Sequence, residues 1–459
     1  MTSSSPRSKN ALRPPRGKPA PEPARPAGLD LGPAVDALAE VLAMDRPADV
    51  LLSAFFRADP KLGARDRAFI AEAVYGVLRH LRSLKALAEP AAKPLAASPP
   101  QGIDAPHARA TPRRLLLAWL ARHGGRNLRE FETLVDKDDL EWLRSLKGAK
   151  LEAQPDAVRL DLPDWLHERL HAQYGERLPA LMAALNSPAP LDLRVNNQKM
   201  SRDALLAELA GEGLAAAPTP YSPLGIRLQG KPALQKHGRF LDGGFEVQDE
   251  GSQLLGLLLA PRRGEMVCDF CAGAGGKTLL LGALMHSSGR LYAFDVSEKR
   301  LAKLKPRLAR SGLSNVQGLL IAHERDAKVK RLAGKFDRVL VDAPCSGLGT
   351  LRRNPDLKWR QSPESVAELN AKQAAILASA ASLVKAGGRL VYATCSLLAE
   401  ENEAIVEAFL AGHPDFRLVP AGEALAAQRV PLEMGEYLRL DPVRHGTDGF
   451  FAAVLERRV

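Results

Sequence analysis

The chain has 459 residues, 46% of them hydrophobic, and a net charge of +11. That length exceeds one compact core and calls for two or three domains, while the positive balance favours a polyanionic partner, nucleic acid before anionic membrane. No run of about 18 apolar residues or apolar signal segment is seen, so neither a membrane span nor a secretory route is expected, and a cytoplasmic protein is. Its four cysteines, Cys268, Cys271, Cys345 and Cys395, are then free thiols rather than a disulfide framework.

Residues 1–28 are rich in Ser, Pro, Arg and Lys, with almost no large apolar side chains. They cannot bury enough surface to fold alone and read as a disordered basic tail. From Leu29 to Ala88 apolar residues recur at helical spacing, among them Val35, Leu38, Leu42, Phe55 and Phe56. Asp66 is placed to cap the helix carrying Phe69, Ile70 and Val74. A Pro/Ala-rich loop, Pro90 to Pro106, interrupts, and helical patterning resumes at Leu115–Leu120. Residues 29–150 therefore read as an all-helical domain. Residues 151–242 mix short elements, a strand over Pro188–Val195 and a capped helix over Ser201–Gly211, and read as a small α+β module.

From residue 243 strands and helices alternate, which argues a parallel sheet in an α/β domain reaching residue 459. Candidate strands are Met266–Phe270, Leu291–Asp295, Gly318–Ile321, Arg338–Asp342 and Arg389–Thr394, with a last one over Gly449–Leu455. Candidate helices are Lys277–Met285, Glu298–Ser311 and Ser365–Val384.

The stretch Cys271-Ala272-Gly273-Ala274-Gly275-Gly276-Lys277-Thr278 follows a strand and opens a helix. Glycines there let backbone approach a ligand, and the helix start offers free amides. A P-loop needs glycine at 271, where this chain has cysteine. A dinucleotide fingerprint needs a small third residue at 278, where it has threonine. S-adenosylmethionine fits a looser glycine turn, since it carries no pyrophosphate to enclose. Asp295, ending the next strand, suits paired ribose hydroxyls, against the alternative of a simple helix cap. Asp326 follows the third strand and either faces the adenine or sits in solvent. The Cys268-x-x-Cys271 pair has no second close pair to complete a Cys₄ site, so no metal is expected.

Two strand ends carry the chemistry. Val339-Leu340-Val341-Asp342 runs into Ala343-Pro344-Cys345, and Leu390–Ala393 runs into Thr394-Cys395-Ser396. Open α/β sheets bind ligands at the carboxyl ends of their strands. Consecutive parallel strands joined by a right-handed crossover lie close together, so both thiols are expected at one edge, facing the glycine loop. A thiolate is the strongest side-chain nucleophile near neutral pH. Methylating C5 of a pyrimidine needs one, because addition at C6 makes C5 enamine-like. A carboxylic acid such as Asp342, engaging N3, lowers the cost of that addition.

The motifs Phe245–Gln253, Cys271–Thr278, Asp342–Gly347, Arg353-Asn354-Pro355-Asp356, Thr394-Cys395-Ser396 and Asp448–Phe451 resemble the RsmB/NOP/Sun family of RNA cytosine-C5 methyltransferases. The resemblance implies a class I, Rossmann-like S-adenosylmethionine methyltransferase domain over residues 243–459. It implies Cys395 as nucleophile, Cys345 as the thiol that helps resolve the covalent adduct, and Asp342 on cytosine N3. It implies Cys271–Lys277 as the cofactor loop, with Asp295 on the ribose and Asp326 near the adenine. Lys277 would order the catalytic carboxylate or a substrate oxygen. The family's usual Ala-Ala-Pro is Ala272-Gly273-Ala274 here, a less rigid turn. Arg65–Phe69 and Tyr75–Arg79 are similar to the NusB-like helical domain of bacterial members, and Leu193–Asn196 to their RNA-binding module. Arg352, Arg353, Lys358 and Arg360, with Trp359 for stacking, form a basic loop expected to grip RNA. The expected partner is RNA, ribosomal first and transfer RNA second, and a monomer is expected. An RNA-binding assembly factor without catalysis is the alternative.

Overall fold

The computed structural model describes residues 30–88, 110–132, 134–149 and 151–459. The expected basic tail and the Pro90–Pro106 loop lie outside the described residues. The first domain is helical: α1 (Gly32–Val41), α2 (Ala48–Ala58), α3 (Ala64–Arg79), α4 (Leu81–Ala88), α5 (Ala110–Arg122) and α6 (Lys137–Gly148). Their apolar stripes meet around Leu38, Val74, Leu78 and Leu115, all at 0% exposure. Asp66 is not the cap of α3, as its position suggested. Gly63 is, and Asp66, three residues on, reaches back to accept the Gly63 N–H at 2.9 Å.

Two further helices, α7 (Asp164–Tyr174) and α8 (Leu178–Leu185), pack their leucines against Leu348, Leu351, Val366 and Leu397 of the later domain. A four-stranded antiparallel sheet follows, from β1 (Leu191–Val195), β2 (Ala216–Pro218), β3 (Gly225–Leu228) and β4 (Phe245–Val247), in the order β2-β3-β1-β4. Helix α9 (Arg202–Gly211) lies between β1 and β2, and Ser201 caps it by accepting the Ala204 N–H. The sheet is completed by β4, so it extends past residue 242. Leu193 pairs with Val247 across that seam.

The third region holds α10 (Glu250–Leu259), β5 (Met266–Asp269), α11 (Gly276–Leu284), β6 (Arg290–Asp295), α12 (Glu298–Ser311), β7 (Val316–Leu320), β8 (Phe336–Asp342), α13 (Pro363–Ala381), β9 (Val384–Thr394), β10 (Phe416–Val419), β11 (Leu438–Leu440) and β12 (Phe450–Arg457). The strand order is β10-β12-β9-β8-β5-β6-β7, with β11 paired to β12. Strands β5 to β9 run parallel and β12 enters antiparallel. Val339, Leu340 and Val341 of β8 are fully buried, as a strand covered on both faces requires.

One consequence of this order places the site. The chain runs outward from β5 to β6 and β7, then crosses back to β8 on the other side of β5. Outside the carboxyl ends of β5 and β8 lies the topological switch point, where open α/β sheets leave a crevice.

Candidate active site

Strands β8 and β9 are parallel neighbours with Asp342 opposite Ala393. The ladder ends with the Ala343 N–H on the Ala393 carbonyl, and Pro344 cannot continue it. Both chains turn there, and the Sγ atoms of Cys345 and Cys395 lie 3.4 Å apart. The hydrogen bond to Cys395, with burial second, pushes the Cys345 thiol well above its ordinary range. Cys345 therefore keeps its proton near neutral pH and can donate it toward Cys395. Burial likewise pushes up Cys268, inside β5, and Cys271, on the loop.

Lys277, in the first turn of α11, reaches across the crevice to donate to Oδ2 of Asp342 at 2.7 Å. Burial alone would lower the ammonium's pKa, but the Asp342 carboxylate outweighs it and raises it.

The loop between β5 and α11 is held from three sides. Gly273 donates its N–H to Oδ2 of Asp295 at 2.8 Å. Arg307 of α12 donates to the Ala274 carbonyl at 2.6 Å, and Arg194 of β1 to the Gly276 carbonyl at 2.6 Å. Asp295 does not cap α12. Ser297 does, and Asp295 accepts the Ser297 N–H at 2.7 Å. Asp269, at the end of β5, is 1% exposed. Its Oδ2 accepts from the Thr278 hydroxyl at 2.7 Å, while Oδ1 has no partner. Burial raises its pKa to about 7.

Together these elements enclose a cavity of about 530 Å³, bordered by Cys271–Ala274, Gly276, Lys277, Asp269, Asp295, Asp342, Cys345 and Cys395. The donor set fits S-adenosylmethionine. The unpartnered Asp269 oxygen suits an ammonium, Asp295 at the end of β6 suits ribose hydroxyls, and the Ala272, Gly273 and Gly275 N–H groups are turned to Phe294, Asp295 and Ala272 rather than offered to a phosphate.

Four of the expected residues stand elsewhere. Asp326 caps the short helix Ala327–Lys330, with its carboxylate on the Ala322 and Lys328 N–H groups. Ile321 and Glu324 border the cavity in its place. The basic loop after Cys345 is not open to phosphates. Arg353 is bound to the carboxylates of Asp249 and Asp448. Lys358 is fully buried, donating to the Arg79 carbonyl and to Oδ1 of Asn186, both at 2.8 Å. Trp359 packs on the helical domain's core and donates its indole N–H to the Leu78 carbonyl. The loop is the joint between the helical domain and the α/β domain. Its acceptors lie some 90 to 280 positions away, which a local basic pattern does not disclose.

Sequence reasoning gave no role at this site to Asp269, Arg307 or Arg194, the last of which it placed only in the RNA-binding module. Only Asp269 carries a local signal, as an acid closing a strand directly before a glycine turn.

The family model "16S rRNA methyltransferase RsmB/F" matches residues 256–456, and a ferredoxin-like domain model of the same family matches residues 162–235. The "Probable ribosomal RNA small subunit methyltransferase B" of Synechocystis sp. is 34% identical over 440 residues, covering 92% of this chain and 97% of its own. The "Ribosomal RNA small subunit methyltransferase B" of Sodalis glossinidius is 34% identical, over 85% of this chain and 90% of its own. The crystal structure of PH0851 superposes with a TM-score of 0.75 at 25% identity, covering 94% of this chain and all of its own. Identity at that level over nearly the full length of both chains places the protein in the RsmB/F family of S-adenosylmethionine-dependent ribosomal RNA methyltransferases.

Proposed function

We propose that the protein methylates C5 of a cytosine in 16S ribosomal RNA through a covalent adduct between Cys395 and C6. The observation that carries this reading is the pair of thiols in contact at 3.4 Å, beside the Lys277–Asp342 pair and the cofactor loop. When bound, S-adenosylmethionine supplies the methyl group.

The residues divide the remaining work. Cys395 adds to C6, the sulfur–carbon bond forms, and the displaced electron pair moves through C5 and C4 toward N3. C5 gains enamine character and N3 gains negative charge. The Lys277 ammonium donates to N3, the atom that the resemblance gives to Asp342, and the Asp342 carboxylate, already the acceptor for Lys277, accepts instead from the exocyclic amino group. A donor next to an acceptor matches the edge of cytosine and mismatches uracil, whose N3–H and O4 have the opposite polarity. Once C5 carries the methyl group, a base removes its proton and the C5–C6 double bond re-forms. The carbon–sulfur bond breaks, returning the electron pair to Cys395, and the Cys345 S–H hydrogen-bonds to the departing sulfur. The target base must be unpaired or flipped out to reach the cavity.

Charge supports an RNA partner at a different place from the loop after Cys345. Residues 298–335 hold eleven Lys and Arg against three acids, a net +8 of the chain's +11. Lys299, Lys303, Lys305 and Lys330 are exposed there, on α12 and beyond β7. Arg300 and Arg307, on the same helix, border the cavity. The RNA backbone would lie over this face while the target base enters the crevice.

The test uses Cys345→Ala and Cys395→Ala separately, with cofactor and total cellular RNA. Cys345→Ala is expected to accumulate a protein–RNA adduct that survives denaturing electrophoresis, and Cys395→Ala is not. Sequencing the trapped RNA decides between ribosomal and transfer RNA. A trap by Cys395→Ala alone reverses the roles. No trap, with no methyl transfer by the unaltered protein, leaves a catalytically silent assembly factor.

A further inference from the structure

Glu401 lies in the short turn Ala399–Glu401 after β9 and is fully buried. No lysine or arginine pairs with it among the described residues. A carboxylate buried without a cation is costly unless hydrogen bonds replace its water. Here they do. Oε1 accepts the Ser346 N–H at 2.8 Å and the Gln373 amide at 3.0 Å. Oε2 accepts the hydroxyls of both Ser346 and Ser396. These two serines directly follow Cys345 and Cys395, and their hydroxyl oxygens lie 3.1 Å apart.

One carboxylate thus grips the residue next to each thiol, on two different strand ends. The turn that carries it is itself fixed. The Tyr392 hydroxyl donates to the Glu401 carbonyl at 2.7 Å, and Gln373 donates also to the Pro344 carbonyl at 2.9 Å. The neighbouring Asn402 donates to the Ser396 carbonyl at 3.1 Å and accepts from the Thr394 hydroxyl. A network this complete rigidifies whatever it holds. It holds the two thiol turns, which no ladder bond of β8 and β9 reaches beyond Ala343 and Ala393.

We infer that Glu401 is the positioning residue of the thiol pair, keeping Cys345 and Cys395 in sulfur–sulfur contact by binding the serine after each. The inference rests on the proposed two-thiol mechanism. Glu401 touches neither the cavity nor a reacting atom, and it acts through Ser346 and Ser396. Its charge has a second effect. The ionisable groups that act on Cys345 are Cys395 and Glu401, with the Tyr392 hydroxyl nearby, and the Glu401 charge helps to keep the Cys345 proton in place.

The test is Glu401→Gln, which keeps the shape but cannot take four donors. A loosened pair should lower kcat by about tenfold or more, with KM for RNA within about twofold, because sub-ångström misplacement acts on the reacting geometry. In a Cys345→Ala background, adduct formation should slow by a similar factor. In a Cys395→Ala background, alkylation of Cys345 by iodoacetamide, read by peptide mass spectrometry, should begin at lower pH. A merely structural role would not move that profile. Should Glu401→Gln fail to fold, Ser346→Ala and Ser396→Ala each remove one donor and are expected to slow the adduct by several-fold. A folded Glu401→Gln protein with unchanged kcat and an unchanged alkylation profile overturns the inference. So do equal trapping rates with and without Glu401→Gln, while absence of any adduct with Cys345→Ala alone overturns the underlying mechanism.

Discussion

The Nζ of Lys277, in the first turn of α11, lies 2.7 Å from Oδ2 of Asp342, at the end of β8. The contact spans the switch point, so it joins the element that holds the cofactor loop to the one that leads into the first thiol. An ionised carboxylate alone would oppose the charge that builds on N3, and the ammonium reverses that. Lys277→Met is expected to lower kcat by about 10²–10³, the usual loss for one charge-stabilising donor, with RNA affinity little changed. Single-turnover methyl transfer alongside equilibrium RNA binding checks this. A comparable loss in affinity would make Lys277 a binding residue instead. Asp342→Asn should erode the preference for cytosine over uracil, measured by competition between matched RNAs.

The parallel sheet was legible from its rhythm. Val339–Val341 is a short apolar run that proline stops, and Arg389–Thr394 repeats it about 50 positions on. Adjacency of consecutive parallel strands then brings Cys345 and Cys395 together without any further knowledge. Arg353, Lys358 and Trp359 show the opposite case. A basic loop has the same sequence whether it faces water or buried acceptors, and the acceptors here are Asp448, Asn186 and the carbonyls of Arg79 and Leu78. Asp326 misled for a related reason. An acid shortly after a strand suits a ligand and a helix start equally, and here it caps one. Strand β4, three residues long, is too short to register as periodicity, so a boundary drawn at residue 242 falls before the sheet is complete.

Lys358 makes the joint between domains sensitive to pH. Burial pushes its ammonium down to about 7. In the unfolded chain it holds its proton to about pH 10.4. Between these values the unfolded state binds more protons, so stability rises with pH and falls again as pH drops toward 7. Each pH unit within that window contributes up to about 1.4 kcal/mol. Melting temperatures of the full chain should climb from pH 7 to pH 9. Lys358→Met should flatten that climb, and an unchanged slope would mean that another group titrates.

The exposed lysines of α12 predict a salt signature. Replacing Lys299, Lys303 and Lys305 together with glutamate should weaken RNA binding across sequences. The slope of log affinity against log salt should fall by about 2 to 3, as expected for three lost phosphate contacts. Arg353→Ala should behave differently. It leaves Asp249 and Asp448 buried without that partner, so it should lower the melting temperature and leave the slope alone. Anisotropy titrations at several salt concentrations separate the two. If Arg353→Ala changes the slope and the α12 variant does not, RNA runs over the other face.

Two glycines of the cofactor loop should fail in different ways. Gly275 has φ +85°, and an added Cβ would lie 2.1 Å from Cδ1 of Leu304, inside the packing between the loop and α12. Gly275→Ala therefore carries both left-handed strain and a clash, and is expected to cost about 2–4 kcal/mol of stability. Gly273 has φ +56° with no atom within 4 Å of such a Cβ, and it borders the cavity. Gly273→Ala meets strain alone, about 1–2 kcal/mol, but its methyl group would stand where the backbone must approach the cofactor. Melting curves should therefore show the larger drop for Gly275→Ala. Calorimetric titration with S-adenosylmethionine should show that Gly273→Ala, still folded, binds at least about tenfold more weakly. If Gly273→Ala binds as tightly as the unaltered protein, the cofactor does not approach this turn, and its contacts lie nearer Asp269 and Asp295.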